Sequence, residues 1–145
     1  MPELPEVETI RRGLARRVVR KRITSVKVGK NKMVRGSTQA FMKTLRGQAF
    51  EAVQRWGKLL VLPIANMNQN LLIHLKMTGQ LIYQDKHTTI AGGHQWPPID
   101  SGLPNKYTHA TLSFADGSHL YFNDMRQFGF MQLVDKRQLA EILGR

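Results

Sequence analysis

The chain contains no cysteine, so neither a disulfide nor a thiolate metal site can form within it. It has no apolar run approaching the roughly 20 residues that cross a bilayer. Its first residues, Met1-Pro2-Glu3-Leu4-Pro5-Glu6, are acidic and lack the apolar stretch of a secretory signal. These absences predict an intracellular, non-membrane protein. Acidic residues are also scarce: ten Asp+Glu face twenty-two Lys+Arg, a formal charge of +12 over 145 residues. Such a surplus opposes compaction by self-repulsion and favours a polyanionic partner, nucleic acid first and an anionic membrane surface second. Hydrophobic residues make up 41%, which suits a globular domain with a core rather than a disordered basic tail.

Hydrophobic periodicity predicts a helix over Pro5–Val19, with Val7, Ile10, Leu14 and Val18 on one stripe. Glu6 and Glu8 near its start and Arg16, Arg17 and Arg20 near its end complement the helix dipole. Ile23–Val28 alternates as a half-buried strand, Gly29–Gly36 reads as a basic turn region, and Ser37 caps a short helix carrying Phe41 and Leu45 and closed by Gly47. Strands follow near Ala49–Arg55, Leu59–Ile64, Asn70–Lys76 and Gln80–Tyr83. The continuous apolar runs Leu59–Leu62 and Leu71–Ile73 predict strands buried on both faces or lying under a helix. Residues 84–106, broken by Gly92-Gly93, Pro97-Pro98, Gly102 and Pro104, read as one long loop. A hairpin, Thr108–Phe114 and His119–Asn123 around Ala115-Asp116-Gly117-Ser118, precedes a strand at Phe130–Val134 and a helix at Lys136–Leu143. The expected fold is mainly β with flanking helices (α+β): a two-sheet β-sandwich or flattened barrel with an N-terminal and a C-terminal helix.

Removal of Met1 would leave Pro2 with a free secondary amine. An α-amino group has a pKa of about 8 in model peptides, so it is partly neutral and nucleophilic at physiological pH, and surrounding cations enlarge the neutral fraction. Such an amine attacks a carbonyl carbon and gives an iminium ion, an electron sink. Glu3 beside it could move protons. If Met1 stays, the Pro2 nitrogen is an amide and this chemistry is blocked.

Four ordered motifs extend the reading. The opening Met1-Pro2-Glu3-Leu4-Pro5-Glu6-Val7-Glu8-Thr9-Ile10-Arg11-Arg12-Gly13-Leu14 resembles the start of formamidopyrimidine-DNA glycosylase; the related endonuclease VIII branch usually has Gly in place of Leu4. Arg55-Trp56-Gly57-Lys58 resembles that family's catalytic-lysine turn, His74-Leu75-Lys76-Met77-Thr78-Gly79 its His-Leu-x-Met-Ser/Thr-Gly element, and Asn123-Asp124-Met125-Arg126-Gln127-Phe128-Gly129 its Asp-x-Arg-x-Phe-Gly loop. The resemblance implies a bifunctional enzyme of base-excision repair. It would remove oxidised purines such as 8-oxoguanine and formamidopyrimidines through a Pro2 Schiff base at C1′, then cleave the strand by β- and δ-elimination. Glu3 is then a proton donor, Glu6 a support for the N-terminus, and Lys58 a phosphate contact that assists proton transfer. His74, Tyr107, His109 and Arg126 contact DNA. Met77, Arg126 and Phe128 fill the void left by an everted nucleotide, with Arg126 reading the orphaned base, cytosine the expected one.

The chain departs from the family's pattern at three places. Tyr107 stands where a first His of a Lys-His-x-His-like segment is usual, Met125 where Pro is frequent, and Gln127 where a second basic residue is common. The resemblance also implies a helix–two-turns–helix domain and a C-terminal zinc finger beyond residues 1–145. No cofactor is expected in this chain, because the family's zinc belongs to that finger. The expected partner is double-stranded DNA bearing oxidised purines or abasic sites, bound by a monomer in a bacterial cytoplasm or nucleoid. Isolated, the domain is expected to bind weakly and to turn over poorly, since each missing phosphate contact forfeits counterion release. The alternative is a catalytically silent, basic DNA-binding module.

Overall fold

A computed structural model of the chain describes residues 4–29, 31–93 and 102–144. The first helix, α1 (Leu4–Arg17), buries Val7, Ile10 and Leu14, the stripe its sequence spacing predicts. Strand β1 (Ile23–Val28) follows, then a 3-10 turn at Asn31–Met33, a short β2 (Val34–Arg35) and α2 (Thr38–Leu45). Helix α2 starts where Ser37 accepts a hydrogen bond from the Ala40 amide and buries Phe41 and Leu45. The next strands are β3 (Gln54–Trp56), β4 (Leu59–Pro63), β5 (Asn70–His74), β6 (Gly79–Gln84) and β7 (Thr89–Gly93). Strands β8 (Thr108–Phe114), β9 (His119–Asp124) and β10 (Phe130–Val134) lead to α3 (Lys136–Leu143). A capping box holds the start of α3: Asp135 accepts from the Gln138 amide while the Gln138 side chain accepts from the Asp135 amide.

The strands form two five-stranded sheets, ordered β1-β8-β9-β6-β7 and β2-β10-β5-β4-β3. They remain separate, so the sandwich alternative of the predicted architecture holds and the barrel does not. One core fills the space between them, with α1 and α2 contributing Ile10, Leu14, Phe41 and Leu45. The continuous apolar runs have the predicted cause. Leu60, Leu62, Leu71 and Ile73 face the main core, whereas Val61, Leu72 and Val134 form a second cluster under Leu139 and Ile142 of α3. That second sheet is therefore apolar on both faces.

Two local predictions differ from the structure. Ala49–Arg55 is not one strand: Phe50 makes isolated bridges to Val19 and Ile64, and regular pairing begins only at Gln54. Within the predicted 84–106 loop, Thr89–Gly93 pairs with β6 instead. The glycines that read as breakers are used for close packing. A Cβ on Gly92 would lie 1.9 Å from Cγ1 of Ile10, so only glycine lets α1 settle onto β7. Residues 94–101 of that predicted loop lie outside the described residues.

Candidate nucleic-acid interface

Two chain connections step from one sheet to the other side by side. Residues 75–78 lead from β5 to β6, and residues 125–129 lead from β9 to β10. They share one end of the sandwich because His74 pairs with Phe130 and Gly79 pairs with Asp124. Met77 stands on the first connection and Arg126 and Phe128 on the second. Met77 is 50% exposed and Phe128 54%, so neither belongs to the core, and the glycines flanking them do mark exposed tips. The Arg126 guanidinium carbon lies 5.0 Å from the Phe128 ring centroid, within cation–π range.

Backbone geometry at these tips is unusual. Lys76 (φ 53°) and Gln127 (φ 61°) adopt the left-handed region without being glycine, a conformation that stores strain and clusters at functional loops. Both residues are direct neighbours of the projecting side chains. The strain is offset by hydrogen bonds to one buried side chain. Asp124, 1% exposed, accepts from the Thr78 hydroxyl, from the Arg126 amide at 3.0 Å and from the Gly129 amide at 2.7 Å.

Cations gather at the same end. Lys58 sits in the β3–β4 turn, one residue before Leu59, which pairs with His74. The Arg35 guanidinium carbon lies 3.6 Å from the Phe130 ring centroid, the Lys76 ammonium lies 5.9 Å from it, and His74 stacks on the same ring at 5.8 Å. Burial, followed by the charges of Lys76, Arg35 and Lys58, lowers the His74 pKa. His74 Nδ1 accepts from the Lys76 amide at 2.9 Å. Its proton therefore resides on Nε2, which makes the neutral ring a hydrogen-bond donor suited to a phosphate oxygen.

Tyr107 is half-buried, with the Lys106 ammonium 5.1 Å from its ring centroid, and its carbonyl accepts from the Asp124 amide at 3.0 Å. His109, expected to contact DNA, lies inside the fold. The β8–β9 register shifts between Thr108 and Ala110, and this bulge re-aims a side chain. His109 is 2% exposed, with Nε2 2.6 Å from the Asp124 carbonyl oxygen, so Nε2 is the protonated nitrogen. The ring braces the 125–129 connection from within and does not face solvent.

Glu6 is exposed in the first turn of α1. Pro2 and Glu3 lie outside the described residues. Helix α1 is tied to the Lys58 turn by Glu8. Its carboxylate accepts from Arg11 at 2.8 Å, Arg12 at 2.9 Å and Arg55 at 3.0 Å. Arg55 also donates to the Gly57 carbonyl at 3.1 Å. The bonds from Arg11 and Arg55 hold the Glu8 carboxyl well below the usual carboxylate range.

Sequence reasoning missed Glu8, Arg35, Thr78 and the role of Asp124. Glu8 was visible only as a helix-dipole charge, and Arg35 only as part of a basic turn. Asp124 lay inside a quoted motif, but nothing in a linear string shows three segments meeting on it. Among the described residues no group of three or more His, Asp or Glu could hold a metal ion, and no helix is long and apolar enough to cross a membrane.

Comparison with known proteins agrees with this geometry. Residues 1–131 match the family model described as the formamidopyrimidine-DNA glycosylase N-terminal domain. The formamidopyrimidine-DNA glycosylase of Streptococcus mutans is 39% identical over 142 residues, covering 96% of this chain and 45% of the relative. That of Exiguobacterium sibiricum is 41% identical over 143 residues, covering 98% and 46%. Among solved structures, a complex of Lactococcus lactis Fpg with abasic-site-containing DNA superposes with a TM-score of 0.80 at 30% identity, covering 97% of this chain and 46% of that one. The chain thus spans just under half the length of the curated relatives it matches.

Proposed function

Because this chain belongs to the formamidopyrimidine-DNA glycosylase family, we propose that it is the nucleophile-bearing, DNA-gripping part of a bacterial base-excision repair enzyme that removes oxidised purines and then cleaves the strand. The observation that carries this reading is the grouping of Met77, Arg126 and Phe128 at one exposed end of the sandwich, beside Arg35, Lys58, His74 and Lys76. An enzyme that acts on a base inside a duplex must evert the nucleotide, at a cost of a few kcal/mol. A flexible apolar side chain and an aromatic ring can occupy the vacated stack, while Arg126 donates to the orphaned base. The cations hold the phosphates on either side and bend the strand toward the site.

The chemistry rests on Pro2. Its neutral amine forms a bond to C1′ of the damaged nucleotide as the bond from C1′ to the base breaks; Glu3 protonates the departing base, takes the proton that the Pro2 nitrogen then sheds, and passes it to O4′ as the C1′–O4′ bond breaks and the iminium forms. Glu6 supports the chain start. The resulting iminium withdraws electrons from C1′ and acidifies the C2′ proton. Loss of that proton expels the 3′ phosphate, and a second elimination expels the 5′ phosphate. Lys58 contacts phosphate and relays protons during these steps.

Borohydride trapping on an abasic-site duplex tests the proposal. A covalent adduct is expected with the Met1-processed chain, and Pro2→Gly should weaken it, the primary amine being a poorer mimic of the ring nitrogen. Intact-mass measurement establishes whether Met1 has been removed from the sample. DNA binding with no adduct from a Met1-free chain would leave a basic DNA-binding module and end the catalytic reading.

A further inference from the structure

We propose that Asp124 is a positioning residue that locks the Met77 tip and the Arg126–Phe128 tip into one unit, so that the side chains filling an everted nucleotide's place enter the duplex together. The proposal builds on the glycosylase reading, and it concerns an acid that touches neither DNA nor the reacting sugar.

Three segments meet on this residue. Its side chain takes the Thr78 hydroxyl from the first connection and the Arg126 and Gly129 amides from the second. Its main chain takes the third: the amide donates to the Tyr107 carbonyl at 3.0 Å, and the carbonyl accepts from His109 Nε2 at 2.6 Å. A side chain 1% exposed cannot replace these partners with water: Oδ1 takes both the Thr78 hydroxyl and the Arg126 amide and Oδ2 the Gly129 amide, so losing a donor leaves a buried carboxylate oxygen under-satisfied. The packing leaves no slack around it. A Cβ on Gly129 would lie 2.8 Å from the His74 carbonyl oxygen and 3.0 Å from Asp124 Oδ2. The left-handed backbones at Lys76 and Gln127 persist only where their surroundings over-determine them, and Asp124 is the group both connections share.

Rigid coupling matters for a wedge. Two independently mobile tips would each lose conformational freedom on insertion, whereas a pre-ordered pair has already given it up on folding. The coupling should therefore appear as preference for a duplex that already contains a gap in its stack.

The test uses the whole chain and two measurements. Amide hydrogen exchange follows residues 76–79 and 125–129 in the free protein. Fluorescence anisotropy gives the ratio of affinities for an abasic-site duplex and an undamaged duplex of the same sequence. Thr78→Val removes one hydroxyl donor and keeps the side chain's size. It should speed exchange at Arg126 and Gly129, on the other connection, and lower the affinity ratio roughly tenfold, the scale of one or two buried hydrogen bonds. Thr78→Ser should restore both. Asp124→Asn, which puts an NH2 opposite an amide donor, should do the same more strongly. If Thr78→Val speeds exchange only at 76–79 and the ratio holds, the tips are independent and the positioning role is refuted while the glycosylase reading stands. Coupled exchange with no abasic-site preference in the unsubstituted chain would instead refute the glycosylase reading, and the wedge role with it.

Discussion

A carboxylate that accepts from three guanidinium groups cannot be protonated without weakening all three contacts. Glu8 is in that position, held low by Arg11, Arg55 and Arg12. Because its folded pKa lies below its unfolded value, the stability it contributes is present above the ordinary glutamate value of 4.5 and is lost as pH falls beneath it. Thermal unfolding followed between pH 6 and about pH 3 should thus show a steeper decline for the native chain than for Glu8→Gln. A parallel decline would mean that the ion pairs are solvated and idle. The His74 pKa is lowered too, but there the fold favours the neutral form rather than the charged one. Burial and three neighbouring cations lower its pKa, so an NMR titration should find it neutral at pH 7 with a midpoint below the ordinary 6.5. Duplex DNA should raise that midpoint, because a phosphate at Nε2 favours the imidazolium. Phe128→Ala removes an exposed ring and should leave stability within about 0.5 kcal/mol while abolishing abasic-site preference.

At the scale of elements, glycine sets the spacing. Gly92→Ala drives a methyl into Ile10 and should cost about 1–3 kcal/mol, as overpacking does, readable as a lower midpoint in urea. The same glycine explains a misread element. Gly92-Gly93 looks like a loop signal in a string of letters, yet it ends β7 where α1 lies close. Elements whose signals are local were legible in advance. The Ser37 cap, the Asp116-Gly117 hairpin and the α3 boundaries all agree with the structure. The double-sided apolar strands β4 and β5 were legible too, since two buried faces leave no polar alternation. His109 could not be placed that way, because the bulge that turns it inward depends on register with β9. Met77, Lys58 and Phe128 were recognisable as motif residues. Their grouping around Asp124 and Arg35 depends on contacts between segments distant in the chain, as where Thr78 reaches Asp124 across 46 positions.

For the whole molecule, the charge of +12 is a long-range attraction that salt screens. Each phosphate neutralised should contribute about 0.9 to the slope of log affinity against log salt. Replacing Lys58 and Lys76 together by Gln should reduce that slope by about 2, and replacing two lysines remote from this end should change it less. Equal effects would make the charge a diffuse field without a defined footprint.

The adjacent sheet-to-sheet crossings at 75–78 and 125–129 tie the placement of Met77, Arg126 and Phe128 to the thickness of the sandwich. They act as a pair of staples across one seam, with Leu75 and Leu81 in the filling beneath. A bulkier residue at either place would spread the seam and misalign the tips with every surface cation intact. The tolerance of this chain for core substitutions should therefore be narrowest beneath the exposed apolar tips Met77 and Phe128.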